Sequence, residues 1–169
     1  MDELTALPTP SHAAEPAGRV VLIPSFVEFY EQRYAAMVRL AVALSGSSAS
    51  AEDLVQDAFV RVHARWDRIS DPSAYLRRAV VNACRSAYRR QKHERAVTAL
   101  HARDAVASPA PDELFDVLAR LPYRQRAALV LRFYDGLSQR EIAQVLECRQ
   151  GTAASLVHRG LERLRKMLG

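Results

Sequence analysis

From Phe26 onward the apolar positions of this chain repeat at intervals of three and four. Phe26, Val27, Tyr30, Tyr34, Met37, Val38, Ala41 and Val42 form one such stripe, which predicts an amphipathic helix over Phe26–Leu44. The run Ser45-Gly46-Ser47-Ser48 ends it. Ser50 fits an N-cap, and Glu52-Asp53 fits a first turn, where negative charge is favoured. The helix expected over Ala51–Trp66 carries Leu54, Val55, Ala58, Phe59, Val62 and Trp66 on one side. Asp57, Arg61 and Arg65 lie on the other. A loop follows over Asp67–Pro72. Pro72 suits the start of the next helix, expected over Ser73–His93.

The periodicity is lost over residues 94–111, which end in Ser-Pro-Ala-Pro and read as a linker. It returns at Asp112 with Leu114, Val117, Leu118 and Leu121. Pro122 punctuates, a helix is expected over Gln125–Tyr134, and Asp135-Gly136 signals a turn. Residues 1–24 contain Pro8, Pro10, Pro16 and Pro24 among small polar residues, the composition of a disordered tail. No stretch alternates as a strand would. The expected fold is all-α: two small helical domains, 25–93 and 112–169, joined by a flexible linker, 94–111.

The last part of the second domain has the marks of a helix-turn-helix. Ser138 is an N-cap and Glu141 stands three residues on, a capping box. Leu137 and Ile142 form a hydrophobic staple around it. Ala143 and Leu146 continue the buried face, and Glu147-Cys148-Arg149 makes the turn. The next helix starts near Gln150 and is expected to bury Ala153, Val157, Gly160, Leu161, Leu164 and Leu168. Ala153 and Gly160 are small enough for close helix packing. The exposed side near its tip then offers Arg149, Gln150, Thr152, Ser155, His158 and Arg159. In a helix-turn-helix these positions reach base edges in the major groove. Gln suits adenine, Arg suits guanine, and the free amides of the helix start suit a phosphate. Arg132 on the preceding helix could add a backbone contact.

Charge sharpens this reading. The net charge is +5, and it is unevenly placed: residues 25–92 sum to +4 and residues 112–169 to +3, with the segment between them neutral and the tail at −2. Between Leu76 and Lys92 there are six basic residues and no acid, flanked or interrupted by Tyr75, Asn82 and Tyr88. A charge run is ordinarily a solvated face. An acid-free helix interleaved with aromatic and amide side chains fits a nucleic-acid surface better. Of the 24 basic residues, 22 are Arg, which is the better fork for phosphate and guanine and is also what a GC-rich genome encodes.

Other classes find little support. No Gly-rich phosphate loop, metal-ligand spacing or nucleophile–base constellation is present, so neither an enzyme nor a metal or cofactor site is expected. Cys84 and Cys148 lack the spacing of a zinc site or a disulfide framework and suit a reducing cytoplasm. No apolar run approaches the ~18 residues that suggest a membrane span, and no secretory signal is expected at the N-terminus.

The stretch "LPYRQRAALVLRFYDGLSQREIAQVLECRQGTAASLVHRGLERLR" resembles the fourth conserved region of sigma-70 superfamily factors. The stretches "AEDLVQDAFVRVHARW" and "DPSAYLRRAVVNACRSAYRR" resemble their second region. With these two regions alone, over about residues 25–168, the chain is similar to extracytoplasmic-function sigma factors of the actinobacterial SigE-like group. The resemblance implies a dissociable subunit that binds core RNA polymerase, recognises promoter DNA and helps to open it. It implies that Asp53, Leu54, Gln56, Asp57 and Phe59 dock on the β′ clamp helices, with the β flap as a further contact. It implies that the 67–72 loop and the helix bearing Tyr75, Arg78, Asn82, Arg85, Arg89 and Arg90 handle the −10 element. The −35 element falls to Arg132, Arg149, Gln150, Thr152, Ser155, His158 and Arg159. An anti-sigma factor is an expected type of regulator, and the cytoplasm the expected location. The chain departs from the family where Arg149 replaces a common Ser-type cap, where Ala153-Ala154 follows Gly-Thr, and where Leu156 replaces a common polar residue. The competing reading is a stand-alone helix-turn-helix regulator, which needs only residues 112–169.

Overall fold

The computed structural model describes residues 25–98 and 113–169, so the tail and most of the expected linker lie outside the described residues. Seven α-helices and one 3-10 turn account for the described elements, and no strand occurs among them. The helices are α1 (Phe26–Ser45), α2 (Ser48–His63), α3 (Pro72–Thr98), α4 (Glu113–Ala119), α5 (Tyr123–Phe133), α6 (Gln139–Val145) and α7 (Gln150–Leu168). The turn is Trp66–Arg68.

Local chemistry sets the helix ends. α1 opens with a capping box: Glu28 N–H donates to Ser25 Oγ at 3.3 Å, and Ser25 N–H donates to Glu28 Oε2 at 2.7 Å. Gly46 closes α1 in the left-handed region at φ 76°, where a Cβ would be strained. α2 begins at Ser48, three residues before the expected start. Extended Ser47 is its N-cap, and Ser50 lies inside the helix rather than capping it. Ser45 Oγ folds back onto the Ala41 carbonyl at 2.8 Å, and Ser47 N–H meets that hydroxyl at 3.4 Å, so the chain turns within two residues. α2 stops at His63, not Trp66, because the Trp66–Arg68 turn draws the tryptophan onto α1. The Trp66 ring lies 5.4 Å from Phe26 and 5.1 Å from Phe29. α3 is capped by Asp71, whose Oδ1 accepts from Ala74 N–H at 2.9 Å. It runs to Thr98, past the expected end at His93. α5 starts at Tyr123, immediately after Pro122, rather than at Gln125.

α1, α2 and α3 pack as one bundle, and α5, α6 and α7 as another with α4 beside it. Leu40, Leu44, Val55, Val62, Leu76 and Val80 are almost fully buried in the first bundle. Leu131 and Ile142 take that role in the second. Each such side chain contributes about 1.5–3 kcal/mol through burial. The two bundles also meet. α1 touches α4 and α5, α3 touches α5 and α6, and one apolar cluster runs continuously through both.

Two expectations about α7 change. Leu156 is 7% exposed and belongs to this core, so it is not a solvent-side substitute for a polar residue. Leu168, expected inside, is 65% exposed, since it sits at the helix end beyond the cluster.

Candidate nucleic-acid interface

The tip of α7 is positioned by α6. Ser138 and Glu141 form the reciprocal box, with Ser138 N–H to Glu141 Oε2 at 2.8 Å and Glu141 N–H to Ser138 Oγ at 3.3 Å. The Ser138 hydroxyl, which donates to Glu141 Oε2 at 2.6 Å, and then the Ser138 N–H favour the charged carboxylate and hold Glu141 below the ordinary value of 4.5. After α6 the chain reverses at Glu147, a non-glycine residue at φ 50°, and Cys148 N–H returns to the Ala143 carbonyl at 2.9 Å. Arg124 Nη2 donates to the Leu146 carbonyl at 3.2 Å and satisfies one of the acceptors at the end of α6. α7 lies close on α5 because Gly160 has no Cβ. A Cβ there would sit 2.9 Å from Leu129 Cδ1 and 3.0 Å from its Cγ.

Arg149, Gln150, Thr152, Ser155, His158 and Arg159 are all exposed. Arg149 is the N-cap of α7 but offers no side-chain cap bond, so the first amides of the helix lack a side-chain acceptor there. Ser155 Oγ donates to the Gly151 carbonyl at 2.9 Å, and Arg159 Nε to the Ser155 carbonyl at 3.2 Å. His158 lies 3.6 Å from Glu162 one turn on. Every one of these ties stays within α7. Arg132 is exposed, but its Nη1 donates to the Leu137 carbonyl at 2.9 Å and braces the turn before α6.

On α3, Tyr75, Arg78, Asn82, Arg85 and Arg89 recur at intervals of three and four and so share one face. Arg78, Arg89 and Arg90 are exposed, while Tyr75, Asn82 and Arg85 are half-buried. Arg65 Nη1 donates to Tyr75 Oη at 3.0 Å, and the Arg78 guanidinium stands 5.7 Å from the Tyr75 ring centre. The tyrosine is thereby bracketed by two cations. A cleft of about 580 Å³ opens beside it, walled by Arg65, Arg68, Asp71 and Tyr75 and, from the other bundle, by Gln144 and Val145. Arg68 and Asp71 lie in the 67–72 loop that the resemblance implies for the −10 element, whereas Gln144 carries no sequence signal of its own for this place and is brought to it by the fold alone.

On α2, Asp53, Gln56 and Asp57 are exposed along one stripe, and neither aspartate has an ion-pair partner among the described residues. Val60 continues that stripe at 66% exposure. An apolar residue in a polar register, four positions after Gln56 and three after Asp57, is a signal that could have singled it out. Leu54 is half-buried. Phe59 faces the other way: it is 2% exposed and ringed by Tyr30 at 4.7 Å, Phe29 at 6.1 Å, and Phe26 and Tyr34 at 6.3 Å. Its side chain is core and is not displayed with the aspartates.

Comparison with known proteins decides the family. The Sigma-70 region 2 family matches residues 29–94, and the Sigma-70, region 4 family matches residues 112–164. The RNA polymerase sigma-E factor of Streptomyces avermitilis is 36% identical over 152 residues, covering 85% of this chain and 84% of that protein. This chain belongs to the extracytoplasmic-function sigma factors of the sigma-70 superfamily. The ECF RNA polymerase sigma factor SigE of Mycolicibacterium smegmatis is 31% identical over 175 residues, covering 95% of this chain and 68% of that protein. Among solved structures, the Bartonella quintana sigma factor RpoE, in complex with the anti-sigma factor NepR, superposes with a TM-score of 0.70 at 27% identity. That match covers 85% of this sigma factor and 96% of that chain. The Mycobacterium tuberculosis extracytoplasmic-function sigma factor SigJ superposes at 0.58, also at 27% identity, over 83% of this chain and 53% of that one. The α3 stripe falls within the region 2 match and the α7 tip within the region 4 match.

Proposed function

We propose that this sigma factor divides its work between residues 25–93 and 112–169, with each exposed stripe taking a separate partner. The α2 face of Asp53, Gln56, Asp57 and Val60 docks on the β′ clamp helices of core RNA polymerase. Leu54 lies at its edge, and Phe59 supports it from within. Two unpaired carboxylates beside an apolar residue suit a basic helix with an apolar seam. The β flap contacts the second half of the chain. The face of α3 with Tyr75, Arg78, Asn82, Arg85 and Arg89, together with Arg90, follows the −10 strand. The cleft beside Tyr75 takes an extruded base. Extrusion costs a few kcal/mol, and stacking on an aromatic ring with phosphate contacts offsets it. The tip of α7 enters the major groove at the −35 element through Arg149, Gln150, Thr152, Ser155, His158 and Arg159. Arg132 meets the adjacent backbone with the part of its fork that Leu137 leaves free. No step breaks a covalent bond: the protein is a non-catalytic specificity subunit. It works on DNA in the cytoplasm, where an anti-sigma factor is the type of partner that would restrain it.

The observation that carries this reading is the α3 face. Five side chains suited to phosphate or base recur there at helical spacing, beside a cleft large enough for a nucleobase. The test is reconstitution of the purified protein with sigma-free core polymerase, read by run-off transcription on genomic fragments. Discrete transcripts that require both components are expected. Asp57→Arg should abolish them at limiting protein by lowering affinity for core polymerase at least tenfold, with thermal stability unchanged. An unaltered affinity removes α2 from the docking role. Duplex binding by the protein alone, without transcripts, favours a free-standing helix-turn-helix regulator.

A further inference from the structure

Phe133 and Tyr134 end α5 with their rings in solvent, 65% and 53% exposed. They border an almost wholly apolar groove of about 610 Å³, the size of a ligand site. α1 lines it with Val38 and Val42, α4 with Leu118, and α7 with Leu161 and Leu164. The pattern of α7 predicts that Leu161 and Leu164 are inside, yet both are only half-buried, because this side of the helix opens on the groove. Among the described residues, the one charged side chain lining it is Arg39. Arg39 is exposed, its Nε donates to Tyr134 Oη at 2.8 Å, and no carboxylate among the described residues pairs with it. The rest of its fork is left for an acceptor. The chemical complement of such a groove is a short apolar segment with a negative charge beside it.

The chain carries one. Asp2-Glu3-Leu4-Thr5-Ala6-Leu7, outside the described residues, sets two acids next to a pair of leucines spaced at three. Reach distinguishes this segment from the other apolar run of the tail, Val20-Val21-Leu22-Ile23. Val38 and Val42 stand about 20–26 Å along α1 from Ser25, at ~1.5 Å per residue. Val20 precedes Ser25 by five residues, at most ~18 Å of extended chain, and falls short. Leu7 precedes it by 18 residues, up to about 60 Å, and reaches with slack. A tethered segment faces its site at an effective concentration of order 1 mM, so a contact with a Kd of about 0.1 mM is filled most of the time.

We infer that residues 2–7 seat in this groove of their own chain, with Leu4 and Leu7 against its apolar walls and Asp2 and Glu3 at Arg39. The segment covers Phe133 and Leu164, and any other apolar partner of the groove has to displace it.

The experiment places a nitroxide at position 5 of the full chain, as Thr5→Cys with Cys148→Ser, since Cys84 is buried and escapes labelling. Backbone amide signals are read in isotope-labelled protein. Broadening is expected at Val42, Phe133 and Leu164. It should be much weaker at Gln150, about 21 Å along α7 from Leu164. Adding Leu4→Ser and Leu7→Ser should abolish it without touching the described fold. Arg39→Glu should weaken it about two- to fivefold, the range of an exposed ion pair. Broadening that is absent, uniform along the chain, or unchanged after loss of both leucines overturns the inference.

A mixture of nitroxide-bearing chains with isotope-labelled chains lacking the nitroxide identifies the donor of the segment. A silent groove in that mixture, with broadening when label and isotope share a chain, is the expected result. Broadening in the mixture means that a second copy fills the groove, and it overturns the placement within one chain. The signals require neither DNA nor polymerase, so they stand or fall apart from the function proposed above.

Discussion

α3 and α7 are both long and arginine-rich, and both are assigned to DNA, yet they stand in different relations to the rest of the protein. At the tip of α7, the side-chain bonds of Ser155, His158 and Arg159 stay within the helix. The surface is displayed as it would be used. α3 instead shares its side chains with the other half: Arg77 with Asp135, the Val81 carbonyl with Tyr123, and the Tyr88 ring with Tyr123 and Arg126. A count of basic residues, seven in α3 and four in α7, does not show this difference. The difference lies in how many cations are already engaged at home. The polar side chains at the tip of α7 are left to solvent, whereas α3 already shares several of its side chains with the neighbouring bundle.

The strongest way to test this contrast is to damage α7 alone. Gly160→Val places a Cβ where Leu129 Cδ1 would be 2.9 Å away, and two methyl groups beyond it. Overpacking of this kind costs about 1–3 kcal/mol, more than the helix propensity gained by replacing glycine. Chemical denaturation should show that loss, and duplex binding should weaken as α7 is pushed off α5. Binding of single-stranded DNA through α3 should hold or improve. Equal loss of both activities would mean that the two helices do not act separately.

What the sequence makes legible follows the range of the interactions. The box at Ser138 and Glu141 spans three residues and is readable without a fold; Ser25 and Glu28 carry the same signal at the start of α1. The exposed tip of α7 is readable because amphipathic periodicity and the small residues Ala153 and Gly160 fix which side faces in. Phe59 is different. Its place depends on α1 supplying Phe26, Phe29, Tyr30 and Tyr34, and no pattern within α2 carries that information. The start of α2 was hidden among consecutive serines, each of which has capping chemistry; the geometry around Ser45 and Ser47 chooses between them. Leu156 and Leu168 lie on the same helix, yet only contact with the neighbouring helices decides that one is buried and the other exposed. Arg77 is one member of an acid-free run until Asp135, fifty-eight residues further on, arrives beside it. The seam between α3 and α5, with Arg126 against the rings of Tyr88 and Tyr123, is wholly of this non-local kind.

A smaller effect comes from the α6 cap. Ser138→Ala should cost about 1 kcal/mol near neutral pH, since it leaves an N-terminal amide without its acceptor. The pH dependence has a definite sign. Glu141 is held below its ordinary value of 4.5, mainly by the Ser138 hydroxyl and then by the Ser138 N–H. A depressed folded value means that this carboxylate adds stability above about pH 4.5, and that the gain is lost as pH falls through the folded value. Denaturation curves of wild type and Ser138→Ala should therefore differ most near neutrality and converge in acid. A constant gap down to low pH would assign the cap's contribution to the hydroxyl alone.

The smallest change is at Arg149, and it separates folding from recognition most cleanly. Arg149 holds the N-cap position of α7 with extended backbone angles, φ −71° and ψ 149°, but its side chain makes no cap bond. Serine there can accept from an amide of the first turn, so Arg149→Ser should stabilise the protein by a few tenths to about 1 kcal/mol. If the arginine is kept for a phosphate or a guanine, the same substitution should weaken duplex binding several-fold and make it less sensitive to salt. Stability and affinity would then move in opposite directions from one exchange, the mark of a residue held at a helix start for what it touches outside the protein. A variant that is more stable and binds duplex DNA as tightly, with the same salt slope, would take Arg149 out of the interface and leave the tip of α7 to Gln150, Thr152 and the residues one turn on.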